Sequence, residues 1–545
     1  RGIIAQLGCT DAQQCIELHG EGRYVVHALD RDPKKVEATR QAIESKGCYG
    51  PVSARVLQGE SLPFADNLIN VLVVEDPLGI SEEEMMRVVR PLGITRIRTG
   101  DTWKKRVKPW PAQMDEWTHF LHSASGNAVS KDTQVGPPRR LKWSSGPKWG
   151  RSHEMNNSFA ASVTAHGRLF YVFDHGLTGM EDPRLPERWT LTARDAFNGV
   201  LLWERPLPTW GSAIWKNRAL RFFGGSIARR LVADKDKLFV TFEFGGPVHI
   251  LDAARGETLA NIPGTEGAAE ILVFGNHLFV TSQLEQTRRG RAAKVTCYDI
   301  AGEEILWQAE DKTFVPQLLC AGSNAVIYHN RTNVVCLNSA DGTVRWKFAD
   351  KPAGGKGGSR MLLVADDKAV LSSRQQIVAL NIADGEIAWQ APGVKGNSMR
   401  EYDLFFAQGK LWCSGEANSV VAYDLQTGEE TARLSAASVQ SEGHHLRCYR
   451  AKATENFLIT QYRGVEFIDL NEQQHKNHDW MRGTCTYGVM PGNGLLYVPP
   501  HSCLCYAAAM FPGLNAFLGE APIALAPKVG PLQKGSAFGQ VTQYA

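Results

Sequence analysis

The chain has 545 residues, 43% of them hydrophobic, and its 60 lysines and arginines nearly balance 57 aspartates and glutamates. That length can bury a large core and points to several domains unless one is a large closed β structure, while the small net charge gives no global field that would demand nucleic acid or an anionic membrane as partner. No run of eighteen apolar residues occurs, so no transmembrane segment is expected, and eleven cysteines without a single CxxC spacing suggest neither a disulfide scaffold nor a zinc site.

The first predicted unit covers residues 1–98. "GIIAQLG" reads as a strand, "RYVVHALD" as a second strand ending at Asp30, "PKKVEATRQAIESKG" as a Pro-started helix, and "NLINVLVVED" as a further buried strand. This is βαβ logic and a parallel, Rossmann-like sheet. The order resembles class I S-adenosylmethionine-dependent methyltransferases, in which an acid closing the second strand, here Asp30, binds the cofactor's ribose hydroxyls. The glycine-rich turn of that family is missing: after Leu7 the sequence reads "LGCTDAQQC", and Gly8 is the only glycine before Gly20. Without further glycines the backbone cannot approach a cofactor closely. A retained structural domain is therefore expected, with S-adenosylmethionine not bound.

Residues 99–137 show Trp, Pro, Gly and scattered charge without a sustained period. They read as a linker packed on the neighbouring domain, because free tryptophans would be costly to expose. His119 and His122 lie within it and are expected to be surface or hydrogen-bonded residues.

The remainder repeats. "LTARDAFNGVLLWE", "VHILDAARGETLAN", "VTCYDIAGEEILWQ", "VVCLNSADGTVRWK", "IVALNIADGEIAWQ", "VVAYDLQTGEETAR", "VEFIDLNEQQ" and "PGLNAFLGEA" align on Asp195, Asp252, Asp299, Asn338, Asn381, Asp424, Asp469 and Asn515. Their separations of 39 to 57 residues suit four-stranded propeller blades. Each unit has a strand ending at the acid or amide, a glycine turn, and a second strand that often carries Trp203, Trp307, Trp346 or Trp389. The last unit lacks an outer strand, whereas "PRRLKW" at 138–143 is an extra one, so the expected architecture is an eight-bladed propeller over 138–520 closed by that strand. Residues 521–545 read as a tail, or as a linker to a further domain.

"AYDLQTGEE", "ALNIADGEIAW" and "CLNSADGTVRW" resemble the pyrroloquinoline-quinone-like repeat of quinoprotein alcohol dehydrogenases and of the outer-membrane assembly lipoprotein of the same fold. The resemblance implies a quinoprotein-like propeller in a periplasmic or extracellular protein. Quinone-dependent members carry an adjacent cysteine pair, and no Cys-Cys occurs here, which argues against pyrroloquinoline quinone, while a bound calcium is left open.

The candidate site comes from the segments upstream of the inner strands of neighbouring blades. "GRSHEMNNS", "SEGHHLRCYRAKATEN" and "MRGTCTYGVMPGNG" bring Arg151, His153, Glu154, His444, His445, Arg447, Tyr449, Arg450, Arg482, Cys485 and Tyr487 toward one sector of the axial funnel, and His501 and Cys503 come after the next strand. Arginine to neutralise an anion, histidine to remove a proton and tyrosine to return one suit a lyase acting on an acidic oligosaccharide. A non-catalytic binding or assembly-scaffold propeller and a quinone-dependent oxidoreductase are the alternatives. A transition metal held by His153, His444 and His501 is open, as is a hydrogen-bonded polar plug with a Cys485–Cys503 disulfide.

Overall fold

A computed structural model describes residues 1–151, 158–178, 184–210, 227–243, 245–287, 290–311, 314–315, 318–350, 361–373, 375–393, 403–415, 419–435, 449–461, 463–476, 478, 480–501, 509 and 511–519. The described chain forms two compact units, one containing Arg1–Pro111 and the other spanning Ala112–Ala521.

The first unit is an open sheet. Strands β1 (Gly2–Leu7), β2 (Tyr24–Asp30), β3 (Val52–Val56), β4 (Ile69–Val74), β5 (Val89–Thr99) and β6 (Thr102–Val107) lie in the order β3-β2-β1-β4-β5-β6. The first five are parallel, and β6 returns antiparallel on β5 from within the segment read as linker. Helices α1 (Ala12–Leu18) and α2 (Pro33–Ser45) start where Asp11 and Asp32 accept the backbone N–H groups of Gln13 and Lys34, the local signal for an N-terminus. In α2, Val36, Thr39 and Ile43 recur at helical spacing and are buried. The strand order reverses between β1 and β4, which places their carboxyl ends beside one crevice.

The second unit is an eight-bladed β-propeller, as the repeat length predicted. Blades 1 to 7 begin with the inner strands Phe159–Ala165, Leu231–Asp234, Ala268–Phe274, Leu319–Gly322, Met361–Ala365, Leu404–Ala407 and Lys452–Thr454, each followed outward by three antiparallel strands in chain order. Blade 8 consists of Met490–Gly492, Leu495–Val498, Leu514–Leu518 and, as its outer strand, Arg140–Ser145 from before the first blade. Asn515 faces Ser144, and Ala516 faces Trp143.

Two devices repeat around the ring. The key acids build the turns: Asp195 Oδ1 accepts from Phe197 and Asn198 N–H, and Asp252, Asp424 and Asp469 do the same in their own blades. The tryptophans then lock neighbouring blades. Trp143, Trp203, Trp307, Trp346 and Trp389 donate Nε1–H to the carbonyls of Ala196, Ala253, Ser339, Ile382 and Leu425 in the next blade. Each indole lies on a glycine with positive φ, and a Cβ on Gly385 would come within 2.5 Å of the Trp346 ring. Ala260 and Ala432 stand in the equivalent places of blades 2 and 6, so those junctions lack the indole.

Residues 115–132 belong to this unit and line the inner strands at their carboxyl-terminal ends. Trp117 O accepts from Thr164 N–H of blade 1 while its own N–H donates to Thr164 Oγ1, and Thr118 O accepts from Ala233 of blade 2. His119 Nε2 accepts from Val273 of blade 3, Ala124 O from Ala321 of blade 4, and Ser125 O from Val364 of blade 5. Asn127 bonds Phe406 of blade 6 through both amide atoms, Val129–Ser130 (β7) pairs parallel with the inner strand of blade 7, and Asp132 accepts from Gly494 of blade 8. The blades are therefore met in order, one to eight. Fully extended, a segment of this length reaches about 60 Å, and it runs from Trp117 on blade 1 to Asp132 on blade 8. The physical reason is that the inner strand of each blade is a sheet edge whose inward N–H groups need acceptors. Trp117, Leu121, Ala124 and Ala128 are buried there, so the expected linker is in fact an axial closure.

Candidate functional site

With one end of the channel closed, chemistry is confined to the opposite mouth, where the inner strands begin. His153, Glu154, His444, His445, Arg447 and Cys503 lie outside the described residues. The other candidates are placed, and each is engaged. Arg151 is buried in an ion pair with Asp174, Nη1 to Oδ2 3.2 Å, and its backbone N–H donates to Ser158 Oγ. His501 is buried beside it, its carbonyl accepting from Gly150 at 2.7 Å. Tyr449 exchanges bonds with the Gln461 amide and forms a parallel bridge to Thr486. Arg482 donates to the Arg463 carbonyl at 2.9 Å with its guanidinium 6.0 Å from the Tyr449 ring. Cys485 is buried in the same loop.

Tyr487 is fully buried and donates its hydroxyl to the Ser162 carbonyl at 2.7 Å. Burial pushes its pKa up, against the hydrogen bond from that hydroxyl. Its ring packs edge-on to Phe159 and tilted to Phe120 of the axial segment. Arg482 and Tyr487 thus hold the wall of blade 8 to its neighbours and do not turn side chains to solvent.

Besides Arg450, two residues not singled out from the sequence lie beside the inner strands. Lys452, at the start of the blade 7 inner strand, is buried and donates to the carbonyls of Tyr487 and Val489 at 2.7 and 2.6 Å. Its ammonium lies 3.9 Å from the Tyr487 ring centroid and 5.7 Å from that of Trp117, and burial drives its pKa well down. Arg229, just before the blade 2 inner strand, lies over Phe120 at 5.6 Å and 3.5 Å from Glu270 of blade 3. Arg450 pairs with Asp403 at 3.2 Å and donates to Met361 Sδ. Polar residues upstream of blades 1, 7 and 8 pointed to this funnel; "ARRLVAD", the equivalent of blade 2, held the same signal.

The methyltransferase resemblance assigns Asp30 to a cofactor's ribose, in a domain expected to be structural only. Asp30 is buried at the end of β2, and its oxygens accept from the N–H groups of Cys9 and Asp32 at 2.7 and 2.9 Å. Gly8 has φ +91°, and a Cβ there would stand 3.0 Å from the Asp76 nitrogen: the glycine lets two strand ends approach each other. Across the crevice, Gln6 and Gln14 bond each other, Gln14 bonds Glu75, and Glu75 pairs with Arg98. These side chains occupy one another where a nucleoside would need partners, so the residues present do not fit S-adenosylmethionine. Among the described residues no group of three or more His, Cys, Asp or Glu could hold a metal ion.

Comparison with known proteins bears on the propeller. Residues 291–482 match the family described as outer membrane protein assembly factor BamB. No curated protein matches the chain. Among solved structures, BamB from Moraxella catarrhalis aligns at 14% identity and a TM-score of 0.41 over 71% of this chain and 98% of that one. Quinohemoprotein alcohol dehydrogenase from Comamonas testosteroni aligns at 13% and 0.48 over 78% and 83%. Quinohemoprotein alcohol dehydrogenase ADHIIG from Pseudomonas putida HK5 aligns at 11% and 0.45 over 76% and 82%. The second unit is an eight-bladed propeller built from pyrroloquinoline-quinone-like, BamB-like repeats.

Proposed function

We propose that this protein is a binding and assembly-scaffold propeller that meets a protein partner at its open mouth, in the periplasm or outside the cell. One observation carries the reading: the axial segment bonds every inner strand in turn and closes the far end, while Arg151, Arg482 and Tyr487 are bonded into the walls at the near end. A channel filled in this way favours a rigid surface over a reaction chamber. The BamB-family match over 291–482 favours a partner that takes part in outer-membrane protein assembly. The first unit, whose strand order suits a doubly wound domain, serves in this reading as a structural module without S-adenosylmethionine.

The test is site-specific photocrosslinking in cells. Crosslinkers at exposed Arg331 and Gln375, which lie in turns at the open mouth, should trap a protein, and crosslinkers at Asp341 and Asp384 on the opposite end should not. Trapping only from Asp341 and Asp384 would overturn the reading. A lyase acting on acidic glycans is the second reading, favoured by the buried cations Arg229, Arg450 and Lys452 at or just before the inner strands of blades 2 and 7. It needs His153, His444, His445 and Arg447 as its proton-transfer and anion-binding groups. Incubation with polyuronates, with the ultraviolet absorbance of unsaturated products as readout, decides between them: turnover would establish the lyase.

A further inference from the structure

One hairpin of the first unit concentrates positive charge. Between Arg96 and Lys108 the chain carries six cations and a single acid, Asp101. Three of the cations are engaged inside the unit: Arg98 pairs with Glu75, Arg106 with Glu82, and Lys108 donates to Asn67 Oδ1 and to the carbonyls of Met86 and Val89. The other three, Arg96, Lys104 and Lys105, are exposed, and among the described residues no carboxylate pairs with them. Arg96 and Lys105 stand directly opposite each other across β5 and β6, on one face of the sheet, where like charges repel. Nothing in the packing of this unit calls for that placement.

The same strand is an open edge. β6 ends the sheet order, with β5 as its neighbour among the described strands. Lys108 donates to the Gly93 carbonyl and its own carbonyl accepts from Leu92 N–H. Bonding alternates along an antiparallel pair, so Thr102, Lys104 and Arg106 spend their backbone groups on β5, while Trp103, Lys105 and Val107 turn theirs outward. Val107 is 51% exposed. Lysines on an edge keep neutral and basic strands from adding to it, and they leave acidic strands free to do so. A second copy of β6 would bring its own cations against these. The chain's residues 522–545 hold two lysines and no acid, so they do not complement the edge either.

We propose that the β6 edge binds an acidic, extended segment of another protein, which adds to the sheet as a seventh strand. The outward N–H and C=O groups of Trp103, Lys105 and Val107 form the ladder. Arg96 and Lys105 take carboxylates on one face and Lys104 takes one on the other. The Trp103 ring, 5.6 Å from the Arg96 guanidinium, holds that cation over β6. Main-chain bonds give such a complex its affinity, and the cations select the sequence that can enter.

Fluorescence anisotropy of the full chain with three labelled octapeptides tests this. The peptides are alternating Glu-Thr, alternating Lys-Thr, and alternating Glu-Thr N-methylated at every residue, which keeps the charge and has no N–H to give. The unmethylated Glu-Thr peptide should bind saturably, at least ~10-fold tighter than either of the others, and more weakly as salt rises. Val107→Pro keeps every charge and removes one outward N–H, at a place where an edge strand tolerates proline; it should weaken that peptide by roughly 3- to 10-fold. Lys104→Glu combined with Lys105→Glu should abolish binding, and because both positions are exposed this variant keeps the test decisive if the proline does not fold. No saturable binding, equal binding of the N-methylated peptide, or unchanged affinity in Val107→Pro would each overturn the proposal. Binding of phosphatidylglycerol vesicles without binding of the peptide would also overturn it, and would make the hairpin a lipid-facing surface. Photocrosslinking at the propeller mouth reads partner docking there separately, so failure here leaves that result standing.

Discussion

His119 gives the axial closure a pH signature. It is buried, its Nδ1 meets the Thr118 hydroxyl, and its Nε2 accepts the Val273 N–H of blade 3. An acceptor nitrogen must be unprotonated, and burial, with the nearby His122, pulls the pKa down from the ordinary 6.5 to about 3. The unfolded chain therefore binds a proton at higher pH than the folded chain does. Stability from this group is complete above pH 6.5 and is lost progressively as pH falls toward 3. Two pH units below the unfolded pKa the loss is about 2.5 kcal/mol. Urea unfolding at intervals from about pH 7 to about pH 4.5 should show it as a falling midpoint at constant m-value. His119→Gln keeps a side-chain acceptor for Val273 and has nothing to protonate, so the difference between variant and wild type isolates the residue. Asp115, raised by burial but held below its usual range by His122, titrates beneath this window. If the variant loses stability with pH as steeply as wild type, His119 is not the neutral acceptor described here.

Further outcomes concern the ring and the first unit. Gly385→Ala should destabilise by about 3 kcal/mol, the sum of a left-handed alanine and a displaced indole with its hydrogen bond. Gly409→Ala, also at positive φ but with nothing within 4 Å, should cost only about 1–2 kcal/mol; equal losses in denaturant titration would refute the docking argument. Asp30→Ala leaves the Cys9 and Asp32 N–H groups without their acceptor and should cost about 2 kcal/mol, while titration of wild type with S-adenosylmethionine gives no heat. Specific uptake of that cofactor would show that the Gln6–Gln14–Glu75–Arg98 network yields to a ligand. The His444→Ala, His445→Ala double variant should fold with wild-type stability, and under the scaffold reading its crosslinks from Arg331 should persist.

Much of the fold was legible because its determinants are local and repeated. Asp195 and its equivalents sit at fixed distance from their glycines and tryptophans, and the same turn and docking geometry results each time. The closing strand was legible for a different reason: "PRRLKW" had no partner and the last repeat had no outer strand. Residues 115–132 were opaque because their order is imposed from outside. No period marks them, since each residue answers a different blade, and only the inner strands' unpaired N–H groups explain why Thr118, His119, Ala124 and Asn127 stand where they do. The site was legible in part. Reading upstream of the inner strands led to Arg151, Arg482 and Tyr487, which do lie at the blade 7, 8 and 1 sector. Residue type could not tell a side chain bonded to a wall carbonyl from one turned to a ligand, and Lys452 was missed because a lysine inside "YRAKATEN" looks like an exposed one.

Ring closure separates two tryptophans that are otherwise alike. Trp143 and Trp346 are similarly buried, each donates to a carbonyl of the next blade at 2.9 and 2.8 Å, and each covers a glycine. Truncating either to alanine should therefore cost about 3–5 kcal/mol by the loss of packing. Their topological roles differ. Trp346 lies in an outer strand whose blade is continuous in sequence, so its loss loosens one junction between two blades that stay folded. Trp143 lies in Arg140–Ser145, the strand that joins the two ends of the propeller by pairing with Leu514–Leu518. Its loss lets that strand leave, and with it the covalent path into the axial segment. Limited proteolysis under native conditions should thus cut Trp143→Ala near residues 137–148 far faster than wild type, because local opening there costs less than global unfolding. Trp346→Ala should be cut at wild-type rate in that region despite a comparable loss of stability. Cleavage at similar rates in both variants would mean that the strand is held by something other than this junction, and that the ring does not close as its pairing indicates.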